Sequence, residues 1–303
     1  MEWRRTLIEV PSNIKQQEIT DWAELSCLTD NQGSISKSTI LKILEESAVS
    51  KPDVVLSNIW LEIDRRHRLI ETFHPIKALI GRLERMKTWE ENLPYTFQLL
   101  LASHYWYKET TIKGEPWNKT AKIFEELSTA VIKEYLGGDA INIGWPRGNG
   151  IPRGFRQCLD FVCNRLREKR GYHKSYNLPT IKDKGVDVVA WKSFPDRRYS
   201  QIFILGQCAA GKDWKEKADD IKLTTWQRFI EWMAPPTIAF TFPYICQDED
   251  NEWRELSDQS GGILLDRLRI TSGFVPSEIY NSLLRKINEW CKTQIAKLPR
   301  LNN

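Results

Sequence analysis

Asp187 opens one apolar run, Val188-Val189-Ala190-Trp191. Gln207 closes a second, Ile202-Phe203-Ile204-Leu205-Gly206, with Cys208 and then Lys212 just beyond it. A carboxylate, a side-chain amide, a backbone carbonyl and an ammonium brought to one sheet edge are the groups that phosphodiester hydrolysis uses. A hard divalent cation such as Mg²⁺ or Mn²⁺ takes oxygen ligands, activates a water and neutralises charge building on the phosphate. In this pattern Asp187 supplies a carboxylate oxygen, Gln207 its amide oxygen and Cys208 its carbonyl. Lys212 then orients the water or stabilises the pentavalent phosphate.

Both runs are short, rich in β-branched and aromatic residues and bounded by Gly, Pro and charge, which suits buried strands. Pro195-Asp196-Arg197-Arg198 between them has turn composition. Before them, residues 151–170 show an apolar helical face of Phe155, Leu159, Val162, Cys163 and Leu166. After them, 223–233 read as a helix with Trp226, Phe229, Ile230 and Met233 on one side, ended by Pro235-Pro236, and 237–242 as a third strand. Residues 263–270 suggest another strand, and 276–298 an amphipathic helix. The order helix, strand, strand, helix, strand fits an α/β core with the site at one edge.

At Asp187 and Gln207 the segment resembles the PD-(D/E)xK nuclease superfamily, the restriction-endonuclease-like fold, and especially its Mrr-type variants in which Gln replaces the second acid. The resemblance covers residues 150–245, about a third of the chain. It implies a mixed sheet flanked by helices and metal-dependent hydrolysis of DNA. Asp187 matches the family's metal-binding Asp and Gln207 its second acidic position. The family's lysine usually stands two residues after that acid, where this chain has Ala209, so Lys212 must reach back. The family also carries a glutamate on the helix preceding the Asp strand. Within 151–170 the acids are Asp160 and Glu168; Glu168 falls in a basic last turn, which leaves Asp160 as the candidate further metal ligand and Gln157 as a weaker substitute. Nucleases with an extra helical domain resemble components of bacterial restriction and phage-defence systems, an analogy only. These departures keep two other readings open: a nuclease-like fold that binds nucleic acid or a partner without cutting, and a helical interaction protein whose motif is coincidental.

Charge is unevenly distributed. Residues 147–222 hold 17 Lys and Arg against 9 Asp and Glu in a chain whose net charge is +4, so the remainder is net acidic. Arg165, Arg167, Lys169, Arg170, His173, Lys174 and Lys215 are the candidate nucleic-acid contacts, binding through counterion release. The alternative is a cationic helix end that complements the helix dipole. A composition of 41% hydrophobic and 28% charged residues suits a soluble globular protein. With no long apolar run and no signal-peptide core at the start, the expectation is a cytoplasmic protein without a membrane partner. The six cysteines form no CxxC pair, so neither zinc nor a disulfide framework is indicated. No glycine-rich phosphate motif supports ATP or dinucleotide binding.

The N-terminal half reads as mainly helical over 16–28, 37–46 (after a cap at Ser34 or Ser36), 52–70, 75–90, 94–107 and 117–136, where Gly137-Gly138 stops the last helix. A short strand is expected at 140–145, followed by the loop 145–152. This gives a mainly α-helical domain at 1–148, which binds DNA, a protein partner or a regulatory signal, and a restriction-endonuclease-like α/β domain at 149–303. Double-strand cutting needs two sites, for which a homodimer is one arrangement.

Overall fold

The computed structural model describes residues 7–12, 14–15, 18–108, 110–171, 182–196, 198–246 and 251–301. The chain runs α1 (Ile19–Thr29), β1 (Ser34–Ser36), α2 (Lys37–Glu46), α3 (Pro52–Ile70), β2 (Ile76–Ala78), β3 (Arg82–Arg85), α4 (Leu93–Ser103), α5 (Glu115–Leu136), β4 (Asp139–Asn142), α6 (Phe155–Leu166), β5 (Lys169–Arg170), β6 (Val188–Lys192), β7 (Ile202–Cys208), α7 (Leu223–Phe229), β8 (Ile230–Glu231), β9 (Thr237–Thr241), α8 (Glu252–Ser260), β10 (Ile263–Leu265), α9 (Arg267–Gly273) and α10 (Asn281–Ile295). Among the described residues no helix is long and apolar enough to cross a membrane.

The centre is a five-stranded mixed sheet in the order β10-β9-β7-β6-β4. β6 is antiparallel to both neighbours, whereas β7, β9 and β10 run parallel. Four consecutive residues of β6 are buried, and the two-residue period of a strand sends them into different cores. Val188 and Ala190 pack with Phe124, Leu127 and Val131 of α5. Val189 and Trp191 pack with Phe155, Leu159 and Val162 of α6 and with Trp226 and Phe229 of α7. Helices therefore cover both faces, which explains why β6 and β7 read as nearly continuous apolar runs rather than alternating ones. Gly206 lets α5 approach closely, because a Cβ there would lie 3.0 Å from both Ile132 Cδ1 and Val188 Cβ.

Residue 148 falls in the connection 143–154. The edge strand β4 and helix α5, both from its N-terminal side, belong to the sheet and its helical layer. One apolar core runs from Leu7 to Leu298 and takes in α1, α4, α5, α9 and α10.

Three expected elements are corrected. Residues 75–90 form a hairpin of β2 and β3, which with β1 makes a three-stranded sheet in the otherwise helical N-terminal half. Ile76, Ile80 and Leu83 have helical spacing, but Ile80-Gly81 is a turn closed by Leu79 N–H donating to Arg82 O at 2.9 Å. Ile80 is fully exposed there, while Ile76 and Leu83 are buried. Residues 263–270 are a strand only as far as Leu265, because the Asp266 carboxylate accepts from Arg269 N at 2.9 Å and starts α9 as an N-cap. Residues 223–233 leave the helix at Phe229, where β8 pairs with β5. The cap expected at Ser34 or Ser36 is Ser36, whose hydroxyl accepts from Thr39 N.

Buried charges bind the N-terminal helices to the C-terminal half. Asp21 on α1 accepts from Arg66 on α3 at 2.6 Å and from Arg267 on α9 at 2.7 and 3.0 Å. Glu24 meets Arg66 at 3.0 Å, His74 at 3.0 Å and Tyr95 at 2.5 Å. Burial alone pushes the Glu24 carboxyl up, but Arg66 and His74 outweigh it and hold it at about 2. An Asp21→Ala substitution leaves two buried guanidiniums without their shared partner and is expected to cost about 3–5 kcal/mol. Urea denaturation measures this, and a loss below about 1 kcal/mol, the size expected of an exposed pair, contradicts the linking role.

Candidate active site

Asp187 is fixed where three strands meet. Its amide donates to Gly206 O at 2.8 Å, and its carbonyl accepts from Ile143 N at 2.7 Å and Gly144 N at 3.1 Å. Two successive amides sharing one carbonyl is the hydrogen-bond pattern of a β-bulge, a device that ends strand pairing and re-aims side chains beside functional sites. Asp187 Oδ2 accepts from Cys208 N at 2.8 Å. Oδ1 turns toward helix α5.

Glu125 waits there. A Cβ built on Gly144 would lie 2.5 Å from Glu125 Oε2 and 2.7 Å from Asp187 Oδ1, so the two carboxylates crowd into the space a side chain would fill. Burial raises the Asp187 carboxyl well above its usual range, and the facing Glu125 raises it further; the Cys208 amide and Lys122 work in the other direction. Glu125 is also raised by burial, against the pull of Lys122 and Asn142. The thiol of Cys208 is driven up by burial and then by these two carboxylates, which keeps it protonated.

Lys122, one helical turn before Glu125, completes the cluster. Its ammonium donates to Glu125 Oε2 at 2.8 Å, Asn142 Oδ1 at 2.5 Å and Gly144 O at 2.9 Å. Asn142 Nδ2 donates to the same Glu125 oxygen at 3.1 Å. Asp183 adds a further negative charge that is felt by Glu125, Asp187 and Asp220. It is anchored by the amides of Trp145 and Gly185 at 3.3 and 3.2 Å.

Gln207 lies at the end of β7, one residue past the Val188–Gly206 pair of the β6–β7 ladder. Its Nε2 faces Asp220 Oδ2 at 3.5 Å. Its buried Oε1 has no hydrogen-bond partner. An amide that gives its NH₂ to a carboxylate must point its oxygen elsewhere, which leaves a neutral oxygen donor unspent. Hard oxygen donors are what Mg²⁺ or Mn²⁺ requires, and the two carboxylates and the orphaned amide oxygen are donors of that kind. Among the described residues, no group of three or more His, Cys, Asp or Glu is arranged to hold a metal. The oxygen atoms here that could hold such an ion are those of Asp187, Glu125 and the Gln207 amide.

The remaining residues anticipated from sequence are distributed differently. Cys208 offers Asp187 its amide. Asp160, exposed on α6, is held by Arg170 at 2.5 Å, and Glu168 accepts from Met233 N. Lys212 is exposed and lines a separate cavity with Tyr105, Trp106 and Arg66. Arg165, Arg167, Lys169 and Arg170 cluster at the end of α6, which Gln201 ties to the start of β7 through Leu166 O. That is the end of the sheet opposite Gln207. Lys215 pairs with Glu252. His173 and Lys174 lie outside the described residues. Lys122, Glu125, Asn142 and Asp183 were not anticipated. Their signal was a Lys and a Glu three residues apart on the helix before β4; the sequence reading sought the helix acid on α6 instead.

Because both carboxyls are raised in the folded protein, the neutral pair is tolerated and the charged pair destabilises. That destabilisation is absent below the ordinary carboxylate range and grows as pH rises through it. Asp187→Asn is therefore expected to raise the melting temperature near neutral pH, by on the order of 2 °C per kcal/mol relieved, with little effect at about pH 4. An ion such as Mn²⁺ bound between the carboxylates would supply the same relief, so any stabilisation it gives the wild type should vanish in the variant. A lower melting temperature for Asp187→Asn at neutral pH, or an undiminished Mn²⁺ effect, contradicts this electrostatic account. Comparison of the chain with protein-family models, curated proteins and solved structures finds no match.

Proposed function

We propose that the protein is a metal-dependent nuclease of the restriction-endonuclease-like kind, hydrolysing DNA phosphodiester bonds with Mg²⁺ or Mn²⁺. The observation that carries this reading is the convergence of Asp187 and Glu125 at Gly144 with the ammonium of Lys122 on Glu125, while Gln207, on the strand paired with β6, keeps an unspent side-chain oxygen. The chain order supports it as well. A helix bearing an acid (α5) precedes an antiparallel β4-β6-β7 run bearing Asp187 and Gln207, followed by α7 and the parallel strand β9.

When bound, the cation neutralises developing phosphate charge and activates a water. Asp187, oriented by the Cys208 amide, and Glu125 hold it. Gln207 adds a neutral ligand, so the site gains a donor without a further charge beside Asp183, Asp187 and Glu125. Lys122 is tethered to Asn142 and Gly144 O, and it supplies the ammonium that faces phosphate at the position the sequence assigned to Lys212. Exposed Lys182 and Lys184 flank Asp183, and Lys217 and Lys222 act on Asp220. These lysines form a cationic rim able to hold a DNA backbone.

Nicking of supercoiled plasmid at low salt with Mg²⁺ or Mn²⁺ tests the reading. Asp187→Ala and Glu125→Gln are expected to lower cleavage by about 10²-fold or more, and Lys122→Met by roughly the same order. Equal cleavage by wild type and Asp187→Ala ends the catalytic proposal. A larger loss from Lys212→Met than from Lys122→Met returns the ammonium role to Lys212. Salt-sensitive DNA retention without cleavage supports the non-cutting alternative.

A further inference from the structure

A second cavity, of about 380 Å³, shares no residue with the carboxylate site. It lies between the N-terminal helices and the segment after β7, lined by Lys15, Arg66, Tyr105, Trp106, Lys212 and Trp214 among others. Its floor is already assembled. Arg66 is almost wholly buried, and its guanidinium is held by Asp21, Glu24 and Glu62 at 2.6, 3.0 and 2.8 Å.

The walls are aromatic. Trp214 stacks on Tyr244 at 5.1 Å and 14°, and Tyr105 and Trp106 come from the chain just past α4. Tyr244 Oη donates to Ala210 O or Gly211 O, at 3.3 and 3.1 Å, and so fixes the turn that carries Lys212.

The rim carries charge that the fold does not use. Lys215 is paired with Glu252, and Glu18 accepts from the Lys15 amide. The side-chain ammoniums of Lys15 and Lys212 have no ion-pair partner among the described residues. Two ammoniums without an ion-pair partner among the described residues call for an anion, and an exposed aromatic ring for a planar one. The volume lies in the range of small-molecule sites. It suits one nucleotide rather than a strand.

We propose that this cavity binds a nucleoside monophosphate, with the phosphate on Lys15 and Lys212 and the base against the exposed ring of Tyr105. The site is independent of the nuclease reading, although Lys212 follows Gln207 by only five residues in the chain.

Calorimetric titration of the full chain without divalent metal tests it, using AMP, GMP, CMP and UMP alongside adenosine and inorganic phosphate. At least one monophosphate should saturate with a Kd below about 1 mM. Adenosine and phosphate alone should bind roughly 10-fold more weakly, and the Lys15→Ala/Lys212→Ala double variant should lose roughly 10-fold for the monophosphate. Both lysines are exposed, so the double variant is expected to keep the wild-type circular dichroism spectrum. Tyr105→Ala, which removes the exposed ring, should weaken binding several-fold. No saturable binding by any of the four, unchanged affinity in the double variant, or phosphate binding as tightly as the nucleotide overturns the proposal. Asp187→Asn should bind the nucleotide like wild type, so a failed nuclease assay leaves this test intact.

Discussion

Two carboxylates that approach the same glycine, one from the sheet and one from helix α5, are the constraint on which the rest of the site depends. Asp187 is half-buried and Glu125 buried, and desolvation raises both carboxyls. Like charges at such range are held only by a proton, an ammonium or a metal. The fold supplies one ammonium, Lys122, on the Glu125 side. Asp187 is left with one neutral donor, the Cys208 amide, and an oxygen turned into the gap.

The same constraint explains local features that would otherwise look accidental. A Cβ at position 144 would push the two acid side chains aside, so Gly there leaves them their room. The bulge at Ile143-Gly144 ends the β4–β6 pairing opposite Asp187, which frees the carboxylate from the alternation that buries Val188 to Trp191. Helix α5 has to lie close to the sheet for Glu125 to arrive, and Gly206 beneath Ile132 permits that approach. The helix that forms the main core layer thus also delivers Lys122 and Glu125 to the Asp187 carboxylate.

Much of this architecture was legible in sequence. The apolar runs at 188–191 and 202–206, the helix beginning at Pro52, the Ser36 cap and the Gly137 stop follow from residue types and spacing alone. What was hidden is non-local. The strands β2 and β3 look helical because Ile76, Ile80 and Leu83 repeat at helical intervals, and only the turn at Ile80-Gly81 breaks the pattern. The helix glutamate was sought immediately before Asp187, on α6, whereas the sheet pairs β6 with the earlier strand β4 and so brings in the helix before it. Lys122 and Glu125 stand more than sixty residues from Asp187, and no periodicity in one chain reports such an approach. The basic run at 165–170 is real, but strand direction carries it to the far end of the sheet from the carboxylates.

The decisive measurement is an anomalous scattering map from crystals of the protein soaked in Mn²⁺. The account predicts one peak between Asp187 Oδ1 and Glu125 Oε2, within reach of Gln207 Oε1 and at the short oxygen distances of a hard divalent cation, with Lys122 displaced from Glu125 but still tethered to Asn142. No peak at saturating Mn²⁺, with the Lys122 contact to Glu125 intact, would contradict it. In that case the carboxylate pair is a structural ion cluster neutralised by lysine alone.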